Sequence, residues 1–297
     1  MKFKKNILIA GVNGNIGSFL FSKLEHLETL YSIDHKQKHI KQNFEKIELT
    51  NHSQVKIFAK ECQYYEVLIF LVGLAHFKGG KNDYEQFLVT NFNTLKNLLS
   101  ELRKNNKIPS QIIYTSTISV YGESYSGKLF AEDAQKKPFS AYAKTKLLCE
   151  NYLLENFKKQ SWILRLAPVY SNTFLLNINR RTKFFKFFYR VGTGENRLSL
   201  CNIENIGLTI KSIINQIIPY GIYNIADDKI YTYNDLLCFK KSSSFIIIPS
   251  IIIKGFYYFG KFLKINYLRE NSIKLLTNNI YPVDKINKYI RLSFKLF

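Results

Sequence analysis

The sequence predicts an α/β protein: a Rossmann-type doubly wound parallel sheet with a smaller, mostly helical C-terminal domain. Three observations carry this. The first half alternates apolar strand-like runs with helix-like patterns. A glycine-punctuated turn, Gly11 to Gly17 (GVNGNIG), directly follows the first apolar run. An acid, Asp34, closes the second run.

The elements are read in order. Asn6–Ala10 is a short continuous apolar run, as expected of a strand buried on both faces. The stretch from Ile16 to Leu27 is amphipathic, and Leu30 to Ile33 reads as the second strand. Lys46 to Leu49 is a third strand, Ser53 to Cys62 a helix, and Val67 to Val72 (VLIFLV) a strong fourth strand. Tyr84 to Arg103 reads as one long helix, with apolar positions at helical spacing. Gln111 to Thr115 is the fifth strand, Ala141 to Phe157 a helix, and Trp162 to Leu166 the sixth strand. Beyond Pro168 the periodicity weakens. Asn172 to Tyr189 is basic and aromatic with no clean period, Leu198 to Cys201 reads as a strand, and Gly207 to Ile218 as a helix. From Ile246 onward the pattern is mostly helical.

Composition narrows the function classes. The chain has 297 residues, 46% hydrophobic and 15% aromatic, which excludes a disordered protein that lacks apolar surface to bury. The formal net charge is +21, but the basic residues are scattered rather than blocked. A biased amino-acid usage explains that surplus, and no nucleic-acid partner is expected. The four cysteines (Cys62, Cys149, Cys201, Cys238) form no CxxC pair, so neither a zinc ribbon nor a dithiol motif is present. His35 and His39 are spaced i, i+4 without the following Glu of a zinc-protease helix, and no metal site is expected. The N-terminus runs straight into a strand with no signal-peptide pattern, so a cytoplasmic location with reduced thiols is expected. The segment 245–263 (FIIIPSIIIKGFYYFGKFL) is interrupted by Pro249, Lys254, Gly255, Gly260 and Lys261, too broken for a membrane span. It is expected to pack on the domain, with peripheral membrane contact the less favoured reading.

The glycine loop carries the first chemical signal. Gly11 allows a tight turn, Gly14 admits a pyrophosphate close to the backbone, and Gly17 lets the helix approach the sheet. The phosphates would lie at the positive helix N-terminus. Asp34 would accept hydrogen bonds from the adenosine ribose hydroxyls and repel a 2′-phosphate, which favours NAD over NADP. His35, Lys36 and Lys38 work the other way, because a cation could pair with that phosphate, so NADP stays open.

The second signal is a Thr–Tyr–Lys set. Tyr142 and Lys146 lie i, i+4 on one helix and share a face. A nearby ammonium favours the phenolate and makes a tyrosine a usable acid/base near neutral pH. Thr117 follows the fifth strand, at the strand ends where such sheets bind ligands.

With these motifs in order, the chain resembles the extended short-chain dehydrogenase/reductase family, in its nucleotide-sugar epimerase/dehydratase/reductase branch. GVNGNIG resembles the family's GxxGxxG, YTSTISVYGE its strand-five signature, and SAYAKTK its YxxxK. The resemblance covers roughly residues 5–240. It implies a cofactor set of Gly11, Asn13, Gly14, Asn15, Ile16, Gly17 and Asp34 in the first loop and strand. It adds Glu48 and Leu49 near the adenine, Val72, Gly73 and Leu74 after strand four, and Asn91, Tyr142 and Lys146. Thr117, Tyr142 and Lys146 are implied as catalytic, and Thr117, Tyr142 and Arg197 as substrate contacts. Arg197 would meet the substrate diphosphate, whereas Arg180 and Arg181 read as a solvated basic turn. Several positions depart from the pattern: Thr117 stands for Ser, Asn93-Thr94 for Gly-Thr, Ser171 for Gly and Glu204 for Asp. Ile118-Ser119 replace the Asp-Glu of the 4,6-dehydratases, which argues against water elimination.

The resemblance implies an NAD-dependent nucleotide-sugar epimerase acting through C4 oxidation and re-reduction. The alternative is an NAD(P)H-dependent reductase of a UDP-4-keto-6-deoxy (amino) sugar in surface polysaccharide biosynthesis; the GLAH stretch (residues 73–76) and IIIPSIIIKGF resemble members that reduce 4-keto-6-deoxy amino sugars. Residues 1–170 would bind the dinucleotide, taking back about 199–218, and 171–297 would bind the nucleotide sugar. A homodimer is expected through Tyr84–Arg103 and Ala141–Phe157. A catalytically silent dinucleotide-binding protein with RNA or membrane affinity is the less favoured alternative: loss of Thr117, Tyr142 or Lys146 would favour it, and all three are present.

Overall fold

The computed structural model describes residues 4–37, 43–74, 84–122, 129–242 and 244–297. Lys38, His39, Ala75, His76 and Glu123 lie outside the described residues. The chain forms two compact units. Unit 1 comprises Met1–Thr117, Ala141–Arg165 and Thr209–Ile222; unit 2 comprises Ile118–Ser140, Leu166–Leu208 and Tyr223–Phe297. Residues 118–140, inside the first domain by sequence, thus group with unit 2.

Unit 1 is built on the strands β1 (Asn6–Ala10), β2 (Thr29–Asp34), β3 (Phe44–Lys46), β4 (Val67–Phe70), β5 (Gln111–Thr117) and β6 (Ser161–Leu166). Between them lie α1 (Asn15–Leu24), α2 (His52–Glu61), α3 (Tyr84–Phe87), α4 (Thr94–Lys104) and α5 (Ala141–Asn156). The sheet order is β12-β6-β5-β4-β1-β2-β3, where β12 is Gly221–Ile225. Strands β1 to β5 pair in parallel. The order reverses between β1 and β4, which opens a crevice at their C-terminal ends. Every residue of β4, β5 and β6 is buried. Helices cover both faces of such a sheet, so its strands read as unbroken apolar runs rather than alternating ones. Leu8, Ile33, Leu68, Leu98, Ile112 and Leu153 belong to one core cluster.

Two elements of unit 1 depart from the sequence reading. The helix expected over Tyr84–Arg103 is α3 and α4 joined by a π-helical turn, Leu88–Asn93, which holds the fully buried Asn91. Helical periodicity in the sequence does not register one extra residue in a turn. The third strand runs over Phe44–Lys46 rather than Lys46–Leu49. The ladder stops where Ile47 N–H reaches the Asp34 carbonyl (2.9 Å), and Glu48 then starts the turn into α2, its carbonyl accepting from Asn51 N–H (2.8 Å). Asn51 caps that helix, its Oδ1 accepting from Gln54 N–H (3.2 Å).

Unit 2 contains β7 (Val169–Tyr170), α6 (Leu176–Thr182), β8 (Lys183–Phe184), β9 (Phe187–Val191), β10 (Arg197–Leu198) and β11 (Cys201–Asn202). Helix α7 (Ile203–Ile214) leads out of it. The unit continues with β13 (Tyr231–Thr232), α8 (Tyr233–Phe239), β14 (Ile246–Ile248), α9 (Ser250–Phe262), α10 (Asn266–Leu276) and α11 (Asp284–Asn287). The aperiodic stretch 172–189 resolves into a short helix and a tight hairpin, each too brief to show a period. Leu198–Cys201 is not one strand: β10 pairs antiparallel with β13, and β11 parallel with β7. The helix expected at Gly207–Ile218 starts four residues earlier, and Gln216 in a left-handed conformation (φ 61°) terminates it. Buried Asp227 ties the unit together, accepting from Tyr170 Oη (2.7 Å), Tyr231 Oη (2.9 Å), Asn202 N–H (2.6 Å) and Asn205 Nδ2 (2.9 Å).

Candidate active site

The glycine loop takes the form its spacing requires. Gly11 has φ +85°, and a Cβ there would stand 3.0 Å from Val72 N, so the loop lies against the segment that follows β4. A Cβ on Gly17 would strike the Gly11 carbonyl and come within 2.7 Å of Val12 Cα, so only glycine lets α1 pack this close. Gly14 and Asn15 are exposed, and the first turn of α1 carries no acidic residue. The first N–H groups of a helix have no intrahelical acceptor, and such an end is suited to a phosphate. Ile16 is half-buried.

Asp34, buried at the end of β2, joins this loop. Its Oδ2 accepts from Asn13 N–H (2.9 Å) and its Oδ1 from His35 N–H (2.8 Å), and His35 Nδ1 lies 2.8 Å from Oδ1. The Asn13 side-chain amide reaches the Lys36 carbonyl. The carboxylate therefore braces the loop. Glu48 is exposed, and its Oε1 accepts from Thr50 Oγ1 (2.8 Å) and Thr50 N–H (3.2 Å). Leu49 is in the hydrophobic core.

The segment after β4 is held from below. Asn91 Oδ1 accepts from Leu74 N–H (2.6 Å), and its Nδ2 donates to Leu74 O (3.3 Å) and Thr145 Oγ1 (3.1 Å). Asn91 thus fixes Leu74 and links it to Thr145 on α5. Its amide is engaged with protein groups, so it shapes the crevice through the backbone it holds.

Lys146 is 4% exposed, and its Nζ donates to the Thr115 carbonyl (2.8 Å) at the end of β5. Nζ also lies 4.7 Å from the centre of the Tyr114 ring. Burial pushes its pKa down to about 8, an effect the nearby Cys149 and Glu150 partly oppose. At neutral pH the ammonium persists. Tyr142 is half-buried one turn earlier on α5, and Thr117 is buried as the last residue of β5. Unit 1 therefore gathers Thr117, Tyr142 and Lys146 on two adjoining elements, β5 and α5.

Arg197 belongs to unit 2 and is exposed. Its backbone N–H donates to Asn278 Oδ1 (2.7 Å), and its carbonyl accepts from Asn279 N–H (2.7 Å). Arg180 is exposed, while Arg181 caps its own helix through the Asn177 carbonyl (2.7 Å). Unit 2 also has a cleft lined by Ser119, Ser140, Glu270, Lys274, Asn279 and Tyr281.

Sequence reading missed the layer beneath Lys146. Glu150, fully buried, takes a bidentate contact from Arg165 (Nε 3.1 and 3.2 Å, Nη2 2.7 Å) and accepts from Ser116 Oγ (2.5 Å). Cys149 Sγ donates to the Asn91 carbonyl (3.2 Å), and burial pushes its thiol up. The available signal was an acid one turn beyond Lys146 on the inward face of a helix.

The arrangement fits a nicotinamide dinucleotide: a glycine loop opening onto a helix N-terminus, a carboxylate after β2 and a lysine–tyrosine pair beyond β5. Comparison with known proteins agrees. The match to the Staphylococcus aureus protein CapI is 29% identical over 157 residues, 47% of this chain, and spans 46% of that protein's length. The UDP-N-acetylglucosamine 4-epimerase of Bacillus cereus superposes with a TM-score of 0.72 at 14% identity, covering 99% of this chain and 93% of that one. The NADP complex of dTDP-4-dehydrorhamnose reductase from Bacillus anthracis superposes with a TM-score of 0.65 at 18% identity, covering 83% and 84%. A family model described as the NAD dependent epimerase/dehydratase family matches residues 7–226. On that match the chain belongs to the NAD dependent epimerase/dehydratase family, and its cofactor is a nicotinamide dinucleotide.

Proposed function

We propose that the protein is an NAD-dependent nucleotide-sugar epimerase that oxidises a sugar carbinol at C4 and reduces the resulting ketone on the other face. The observation that carries this is the buried Lys146 ammonium, anchored on the Thr115 carbonyl two residues before Thr117 and one turn after Tyr142. The Tyr142 phenolate takes the proton of the C4 hydroxyl, and later returns it to the same oxygen. The Lys146 charge stabilises that phenolate. The Thr117 hydroxyl holds the C4 oxygen in line. Bound NAD supplies the hydride acceptor and then the donor, so the reaction has no net redox change. Glu150 and Arg165 fix the strand and helix on which these groups stand. Asp34 selects NAD by repelling a 2′-phosphate, and Arg197 pairs with the substrate diphosphate.

The second reading is a single NAD(P)H-dependent reduction of a 4-keto sugar, in which Tyr142 delivers the proton. The fold is shared with both a 4-epimerase and a 4-keto-sugar reductase, which keeps this reading alive. Dehydration is disfavoured because Ile118 and Ser119, directly after β5, provide no carboxylic acid. Incubation with a panel of UDP-hexoses and 4-keto sugars, with and without NADH, separates the readings. Interconversion without cofactor change supports the epimerase; stoichiometric NADH loss supports the reductase; no turnover of any nucleotide sugar contradicts both.

A further inference from the structure

Helix α9 packs by a narrow stripe, Ile253, Tyr257 and Gly260, spaced one turn apart. Outside that stripe the helix exposes large apolar side chains beside two lysines: Ile251, Phe256, Tyr258, Phe259 and Phe262 lie in solvent, Phe262 at 83%. The sequence reading expected this segment to pack on the domain, and only the stripe does so. Exposed apolar residues also lie on the edge strands and the hairpin of the three-stranded sheet β14-β9-β8, whose central strand is buried at Tyr189 and Val191. On β14, which leads directly into α9, Ile246 and Ile247 are exposed, and β14 pairs with β9. At the β8–β9 hairpin Phe184, Phe185 and Phe187 are exposed, Phe185 at 85%. Phe185 sits in the two-residue turn with φ 52°, a conformation that favours Asn or Gly. A bulky aromatic held there, in solvent, contributes little packing to the fold.

Charge identifies the occupant of this surface. Lys183, Lys186, Lys254, Lys261 and Lys264 are all exposed among these residues. No Asp or Glu occurs from residue 156 to 194 or from 236 to 269. A second copy of the same face would set lysines against lysines with no acid to receive them. An anionic lipid surface accepts both components, with aromatic and aliphatic side chains entering the interface and lysines reaching the headgroups. No helix among the described residues is long and apolar enough to cross a membrane.

We propose that α9, β14 and the β8–β9 hairpin form a surface that docks unit 2 onto an anionic phospholipid bilayer, lying at the interface without spanning it. The docking does not depend on the proposed reaction.

The test is flotation of the full-length protein with phosphatidylcholine vesicles and with equimolar phosphatidylcholine–phosphatidylglycerol vesicles. Two variants are compared, Phe185→Ser/Phe259→Ser/Phe262→Ser and Lys254→Glu/Lys261→Glu/Lys264→Glu. All six positions are exposed, and thermal melting checks that both variants fold. The expected result is binding to the anionic vesicles only, lowered at least about tenfold in each folded variant. Equal binding of wild type and variants overturns the proposal, as does no binding of wild type to anionic vesicles. A wild-type dimer in solution that the aromatic variant dissociates, without vesicle binding, also overturns it and assigns the face to a second copy.

Discussion

Gly73 lies directly against the Lys146 ammonium: a Cβ at residue 73 would stand 3.2 Å from Nζ and 3.5 Å from Asn91 Oδ1. The segment after β4, the π-helical turn and α5 therefore meet at one point. Lys146 is held between Gly73 on one side and the Thr115 carbonyl on the other. That confinement explains how a long, flexible side chain keeps one position.

Gly73→Ala presses a methyl group on Nζ and moves the ammonium from the Thr115 carbonyl. Turnover should fall roughly 3- to 10-fold with little change in melting temperature, because small displacements of positioning groups cost rate before stability. Steady-state kinetics beside thermal melting checks this. A variant with unaltered turnover would show that Lys146 tolerates the shift.

Asp34→Ala removes the negative charge that the proposed function sets against a 2′-phosphate. The ratio of kcat/KM for NADP over NAD should rise about tenfold or more, since relief of about 1.4 kcal/mol suffices. The variant also loses the acceptor for Asn13 N–H, so affinity for both dinucleotides should weaken. An unchanged ratio would remove Asp34 from cofactor selection.

The Lys146 pKa, pushed down to about 8 from an ordinary 10.5, sets a pH limit. The ammonium is present below that value and is lost as pH rises through it. If the charge supports Tyr142, kcat/KM should decline above about pH 8, with a limiting slope near −1 on a logarithmic plot. A profile flat to pH 10 would show that the charge is dispensable.

The Glu150–Arg165 pair is fully buried, with side chains 1% and 0% exposed. Arg165→Met leaves the Glu150 carboxylate unpaired in the core and should destabilise the protein by about 3–5 kcal/mol. Adding Glu150→Leu to that variant should recover part of the loss, because an apolar pair needs no partner charge. Urea denaturation of both variants measures this. An Arg165→Met protein as stable as wild type would mean that the pair is energetically idle.

The parallel sheet was legible because fully buried strands such as Val67–Phe70 leave uninterrupted apolar runs, and because glycines at 11, 14 and 17 have few other uses at that spacing. Tyr142 and Lys146 were legible for the same reason: helix geometry alone places i and i+4 together. Asn91 was legible as a position but not as a device. Its hydrogen bonds to Leu74 and Thr145 span 17 and 54 residues and are invisible to any local pattern. Glu150 pairing with Arg165, and Asp227 binding two tyrosines, are tertiary in the same sense. The exposed face of α9 is not distinguishable in the sequence, because its apolar residues look alike whether they face a core or solvent.

In the proposed reaction Tyr142 moves the proton. This role is tested most directly by measuring turnover and dinucleotide binding in the same Tyr142→Phe preparation, with the substrate identified from the nucleotide-sugar panel. Turnover should drop by about 10²–10⁴-fold, the range expected for loss of a general acid/base. The dinucleotide Kd should stay within about threefold of wild type, under 1 kcal/mol. Tyr142→Phe protein that turns over substrate at the wild-type rate would contradict the assignment.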